Sequence, residues 1–155
     1  MIKYLLLSAG LLAGIVLLFL HSLMNEMPSD GMMPSIKKGT YLMVVPIGYS
    51  TETLPQNGQV VMYQTYRMEK PAVARIAGCP GDKLSLNSGL LTLNGHTYIE
   101  PYVLNKNDAM MPLVEVPKNR YFVLNDNRSI LLDSRDKTIG MIKLEDIKGK
   151  VVLVF

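Results

Sequence analysis

Hydrophobic and polar residues alternate in two unlike ways along this chain. From Tyr4 to Leu20 the sequence runs YLLLSAGLLAGIVLLFL without a charge. The tolerable His21, Ser22, Leu23 and Met24 extend this stretch to about 21 residues, which at ~1.5 Å rise each covers the ~30 Å of a bilayer's hydrocarbon. Residues 1–24 are therefore expected to form a transmembrane anchor. The competing expectation is a cleaved secretory signal, whose apolar core normally runs ~7–15 residues and ends in a small-x-small site. Here HSLMNEM follows instead. Lys3 before the span and Glu26 after it favour a cell-membrane protein with its N-terminus in the cytoplasm and the remaining chain outside.

Beyond the span the pattern becomes one of short extended runs. Tyr41 to Val45, Gln59 to Tyr66, Val73 to Ala77, Leu90 to Leu93, His96 to Ile99, Tyr121 to Leu124 and Val151 to Phe155 are rich in β-branched or aromatic residues. They are separated by turn signals at Lys38-Gly39, Asn57-Gly58, Pro80-Gly81, Asn94-Gly95 and Gly149. Leu90 to Ile99 around Asn94-Gly95 predicts a hairpin. After Met27 nothing sustains a 3.6-residue apolar period, and the best helical candidate, Leu144 to Ile147, is too short to stand alone. The fold class is mostly β and antiparallel, with residues 25–155 forming one extracytoplasmic domain.

Composition narrows the chemistry. The 155 residues carry a formal charge of +3 from scattered Lys and Arg, with no run that would track phosphates, so nucleic acid is not expected as a partner. The single Cys79 beside Pro80-Gly81 cannot form an internal disulfide and reads as a small turn or core residue. His21 and His96 have no metal-ligand spacing, and no metal or cofactor is expected.

Three ordered blocks carry a resemblance. Met27-Pro-Ser-Asp-Gly-Met-Met-Pro-Ser-Ile36 with Lys38-Gly39-Thr40-Tyr41 is similar to P-S-G-S-M-x-P-T-L-x-x-G-D. Ala74-Arg-Ile-Ala-Gly-Cys-Pro-Gly-Asp-Lys83 resembles K-R-V-V-G-L-P-G-D. Leu124-Asn-Asp-Asn-Arg128 through Asp133-Ser-Arg135 to Gly140 resembles G-D-N-R-x-x-S-x-D-S-R. A lone P-G-D or D-N-R is an ordinary turn, but three blocks in order behind an apolar segment resemble the type I signal peptidases, serine proteases with a Ser nucleophile and a Lys base. The resemblance covers nearly the whole chain and implies the signal-peptidase-like β fold.

The residues that carry chemistry in that family are replaced. The nucleophile's position is Gly31, the base's is Ala74, and the position of the serine that supports the lysine is Leu131. Acyl transfer needs an attacking oxygen and a proton acceptor, which Gly31 and Ala74 do not have. Leu131 is expected to fill the vacated space, and three consistent losses favour a natural pseudoenzyme over a laboratory variant. Lys70, if on the same strand as Ala74, would lie about 13 Å away. Ser29 matches the family's oxyanion-hole serine and Ser35 its threonine.

The remainder of the motif set is kept. Asp126, Arg128, Asp133, Ser134 and Arg135 match the third block and are expected to form a structural network of ion pairs and turns. Met32, Met33, Pro34 and Ile36 correspond to apolar residues beside the bilayer and the groove that accepts an extended peptide. The expected function is a noncatalytic homologue that binds an extended peptide or a secreted or surface protein. By analogy with dyad-lacking homologues this would be an assembly factor for surface pili. The alternative is an active signal peptidase removing signal peptides from preproteins.

Overall fold

The computed structural model describes residues 2–46, 54–103 and 109–155. Helix α1 spans Ile2–Ser22, and the Ser22 hydroxyl closes its last turn by donating to the Phe19 carbonyl at 2.6 Å. Leu11, Leu12 and Ile15 to Leu20 project their apolar side chains outward and are exposed. Part of the span expected over residues 1–24 lies outside the described residues, and among those described no helix is long and apolar enough to cross a membrane.

The strands are β1 (Met24–Glu26), β2 (Tyr41–Val45), β3 (Val60–Tyr63), β4 (Ala72–Gly78), β5 (Lys83–Asn87), β6 (Leu90–Leu93), β7 (His96–Thr97), β8 (Met111–Glu115), β9 (Arg120–Leu124), β10 (Ile142–Lys143) and β11 (Ile147–Val154). Among the described residues they form a seven-stranded sheet in the order β1-β2-β11-β3-β4-β9-β10 and a four-stranded sheet in the order β7-β6-β5-β8. The observed pairs are antiparallel, as the sequence predicts. The hairpin is where Asn94-Gly95 places it: Leu93 faces His96 across the turn. Asn94 and Gly95 both take positive φ, 53° and 85°, as a two-residue primed turn requires.

Four strands escape the sequence reading. In β5, KLSLN, the inward Leu84 and Leu86 alternate with polar residues, so the strand follows an amphipathic period rather than β-branched content. In β8 Pro112 argues against a strand, yet β8 is the edge of its sheet, where a missing N–H donor is tolerated. β1 and β10 are too short to show a pattern. Gly149, read as a turn, instead lies inside β11, next to a shift in its register with β3. The candidate helical turn is a 3₁₀ turn at Leu144–Asp146.

Two apolar layers flank the seven-stranded sheet, because successive β4 side chains point to opposite faces. Ala74 and Ile76 pack with Val61, Tyr63, Tyr121, Val123, Ile142 and Ile147 on one side. Val73 faces the other side, with Met27, Met32, Ile36, Leu42, Val44 and Met62. A third cluster, Ala77, Leu84, Leu86, Leu91, Val116, Phe122 and Leu124, combines residues of both sheets.

Candidate functional site

Three segments distant in sequence meet at one carboxylate. Arg75 of β4 reaches Asp126 through Nε to Oδ1 at 2.8 Å and Nη2 to Oδ2 at 2.6 Å. The Ser35 hydroxyl donates to the same Oδ2 at 2.6 Å. Asp126 is buried, so its charge is stabilised by this bidentate guanidinium and the hydroxyl rather than by water. The Arg75 guanidinium also stacks 3.9 Å from the Tyr102 ring centroid and donates to the Gly58 carbonyl at 2.8 Å.

The loop after β9 is built the same way. Arg135 donates through Nε and Nη2 to the two oxygens of Asp133 at 2.9 and 2.7 Å, and through Nη1 to the Arg128 carbonyl at 2.9 Å. Asp133 Oδ2 also accepts the Asn125 N–H at 3.0 Å, and Ser134 Oγ accepts the Val123 N–H at 2.9 Å. Arg128 is buried against Glu100, which forms its ion pair. Arg128, Asp133 and Arg135 are thus joined directly, Ser134 fastens the loop to β9, and Asp126 lies in the separate cluster with Arg75 and Ser35. Arg75, Glu100 and Ser35 complete the set, and only partner geometry could have revealed Glu100.

This loop is tied to the 3₁₀ turn Asp30–Met32, since Asn127 N–H donates to the Gly31 carbonyl at 2.9 Å. Ser29 caps that turn: its Oγ accepts the Gly31 N–H at 3.3 Å. Beside it opens a cleft of about 330 Å³, lined by Pro28, Ser29, Met68, Lys70, Ala72, Val73, Asn125, Leu132 and Ile139 among others. Its walls are mostly apolar, with Ser29, Thr138, Asn125, Lys70 and Arg67 as the polar residues along them.

Several site expectations are corrected in detail. Leu131 does not fill a vacated space; its side chain is 58% exposed. The surroundings of Ala74 are filled instead by its own cluster, including Tyr63, whose hydroxyl is buried without a hydrogen-bond partner among the described residues. Burial, and then the Asp133 carboxylate, push that phenol well above its ordinary value. Met32 and Ile36 are core residues rather than groove walls, because the 3₁₀ turn folds them onto β2 and β4; Met33 is half-buried and Pro34 exposed. The apolar wall comes from Met68, Val73, Leu132 and Ile139. Lys70 precedes β4, which begins at Ala72, so strand spacing does not apply to it, and it lines the same cleft as Ser29.

Gly31 is tightly enclosed. A Cβ there would lie 2.8 Å from Asn125 Oδ1, 3.1 Å from Asn125 Cγ and 3.3 Å from Ser29 Oγ. Asn125 falls on the glycine of the third block's family pattern, a departure that the sequence displayed without revealing its consequence.

Comparison with known proteins agrees with this architecture. Residues 1–155 match the family described as Signal peptidase, peptidase S26. The chain is 27% identical to a probable signal peptidase I-1 of Synechocystis sp., over 97% of this chain and 79% of that protein. It is 33% identical to signal peptidase IB of Staphylococcus aureus, over 81% of this chain and 73% of that protein. A crystal structure of a signal peptidase I from Enterococcus faecalis superposes with a TM-score of 0.56 at 25% identity, covering 64% of this chain and 97% of that one. The fold and the three-block site thus define a signal-peptidase-like β protein. The chain belongs to the signal peptidase family, peptidase S26.

Proposed function

We propose that this protein is a noncatalytic, membrane-anchored member of its family that holds an extended peptide, or a segment of a secreted or surface protein, in the cleft beside Ser29. The supporting observation is a retained scaffold with no reactive group at residues 31 and 74. The Arg75–Asp126 and Arg135–Asp133 pairs keep the loops in place, while Gly31 has no hydroxyl and Ala74 no amine. An extended chain added beside a strand gains main-chain hydrogen bonds, and apolar pockets read its alternate side chains. Such a holder would serve the assembly of surface proteins, pili included.

The anchor is part of the same reading. Leu11, Leu12 and Ile15 to Leu20 are exposed, and an apolar surface of this kind is stable in hydrocarbon rather than in water. Lys3 and Glu26 orient the N-terminus to the cytoplasm. Membranes carrying the protein should retain it after alkaline carbonate extraction; release into the supernatant would remove the anchor from the reading.

The second reading, an active signal peptidase, is favoured by one observation: Ser29 and Lys70 line the same cleft. Incubation of the purified full chain with a preprotein bearing a small-x-small site separates the two. We expect no cleavage, with the preprotein captured by crosslinking to the cleft. Cleavage that disappears in Ser29→Ala would establish the active enzyme instead.

A further inference from the structure

We infer that Asn125 occupies the place of the missing nucleophile's side chain and presents its Oδ1 there to a main-chain N–H of the bound peptide. The inference rests on the peptide-holding reading above. Gly31 does not take the positive φ that favours glycine, so its backbone would accept any ordinary residue. What excludes a side chain is Asn125, with Oδ1 only 2.8 Å from the Cβ position.

Asn125 cannot easily swing aside. Its Nδ2 donates to the Ile130 and Leu132 carbonyls at 3.0 and 3.3 Å, its N–H to Asp133 at 3.0 Å, and its carbonyl accepts Arg128 Nε at 2.9 Å. With both amide hydrogens used on the loop, the carboxamide is oriented with Oδ1 toward Gly31. Among the described residues Oδ1 accepts no hydrogen bond, and Asn125 lines the cleft. The cleft thus offers a fixed acceptor beside the Ser29 hydroxyl, a donor, which matches the N–H and C=O of an extended chain. A carboxamide cannot attack a carbonyl as a serine does, so the peptide would be held without an acyl-enzyme forming.

Two measurements test this on the full chain in detergent. In a double-mutant cycle on melting temperature, Gly31→Ser should destabilise the wild-type background and be nearly neutral in Asn125→Gly. Additive effects would overturn the occupancy. In fluorescence anisotropy with a labelled peptide carrying an Ala-x-Ala site, Asn125→Ala should weaken binding about fivefold, the loss of one hydrogen bond, whereas a peptide N-methylated at the contacted amide should bind the wild type and Asn125→Ala equally. Equal affinity of Asn125→Ala and wild type for the unmethylated peptide would overturn the acceptor role. Absence of peptide binding by the wild type would sink the holding function and the acceptor role together, leaving the cycle to decide the occupancy.

Discussion

Asp126 shows how much one side chain organises. It takes two bonds from Arg75 and one from Ser35, linking all three sequence blocks. Removing one partner of a buried pair leaves the other charge uncompensated, which costs far more than the pair contributes net. Arg75→Ala should lower unfolding free energy by about 3 kcal/mol, measured by denaturant titration, and Asp126→Ala should cost less, because the Arg75 guanidinium it leaves behind is the more exposed member. Ala74 is constrained differently. It is fully buried among Val61, Tyr63 and Val123, so Ala74→Lys must place an ammonium and four methylenes in a packed apolar layer. A loss of about 3 kcal/mol is expected in the same titration.

At the level of elements, Asp82 ties three turns together. Its carboxylate accepts Asn57 Nδ2, Asn94 Nδ2 and the Cys79 N–H, each at 2.8 Å. Partial burial pushes its pKa up, but these three hydrogen bonds outweigh that and hold it below the ordinary value. A carboxyl depressed in the folded state contributes fully above its unfolded pKa of about 4 and loses that contribution as pH falls through the lower folded value. Asp82→Asn should therefore flatten the acid limb of the stability profile below about pH 4, as read by melting temperature. The neighbouring Cys79 thiol is pushed up to about 11 by burial and then by Asp82, so it is protonated at neutral pH.

β11 carries the other element-level constraint. It joins β2 to β3, and at Gly149 a Cβ would meet the Val45 carbonyl oxygen at 2.5 Å. That obstacle is backbone, which cannot rotate away. Gly149→Ala should destabilise by about 2 kcal/mol in denaturant unfolding, more than an alanine at Gly81, where nothing lies within 4 Å although φ is +89°.

For the whole molecule, the decisive comparison is restoration of the absent dyad. Gly31→Ser with Ala74→Lys should yield no preprotein cleavage, because Asn125 closes one position and the Tyr63 layer the other. Robust cleavage by that double variant in a gel assay would show that the surroundings adapt and that the losses are recent. The obstruction assigned to Leu131 from sequence order is not what prevents it, since that side chain faces solvent.

The amino-acid sequence by itself determined the β class, the Asn94-Gly95 hairpin, the three blocks and the absence of a hydroxyl and an amine at residues 31 and 74. These are local properties: turn chemistry, β-branched runs and residue identity at a motif position all act within a few residues. It could not show that Met32 and Ile36 turn inward, that Lys70 shares a cleft with Ser29, or that Glu100 pairs with Arg128. Those depend on which strands become neighbours, and strand order is set by packing across the sheet rather than by spacing along the chain. Gly31 marks the boundary between the two: its identity is plain in the sequence, but that Asn125, 94 positions later, leaves it no room for a side chain is decided only by the fold.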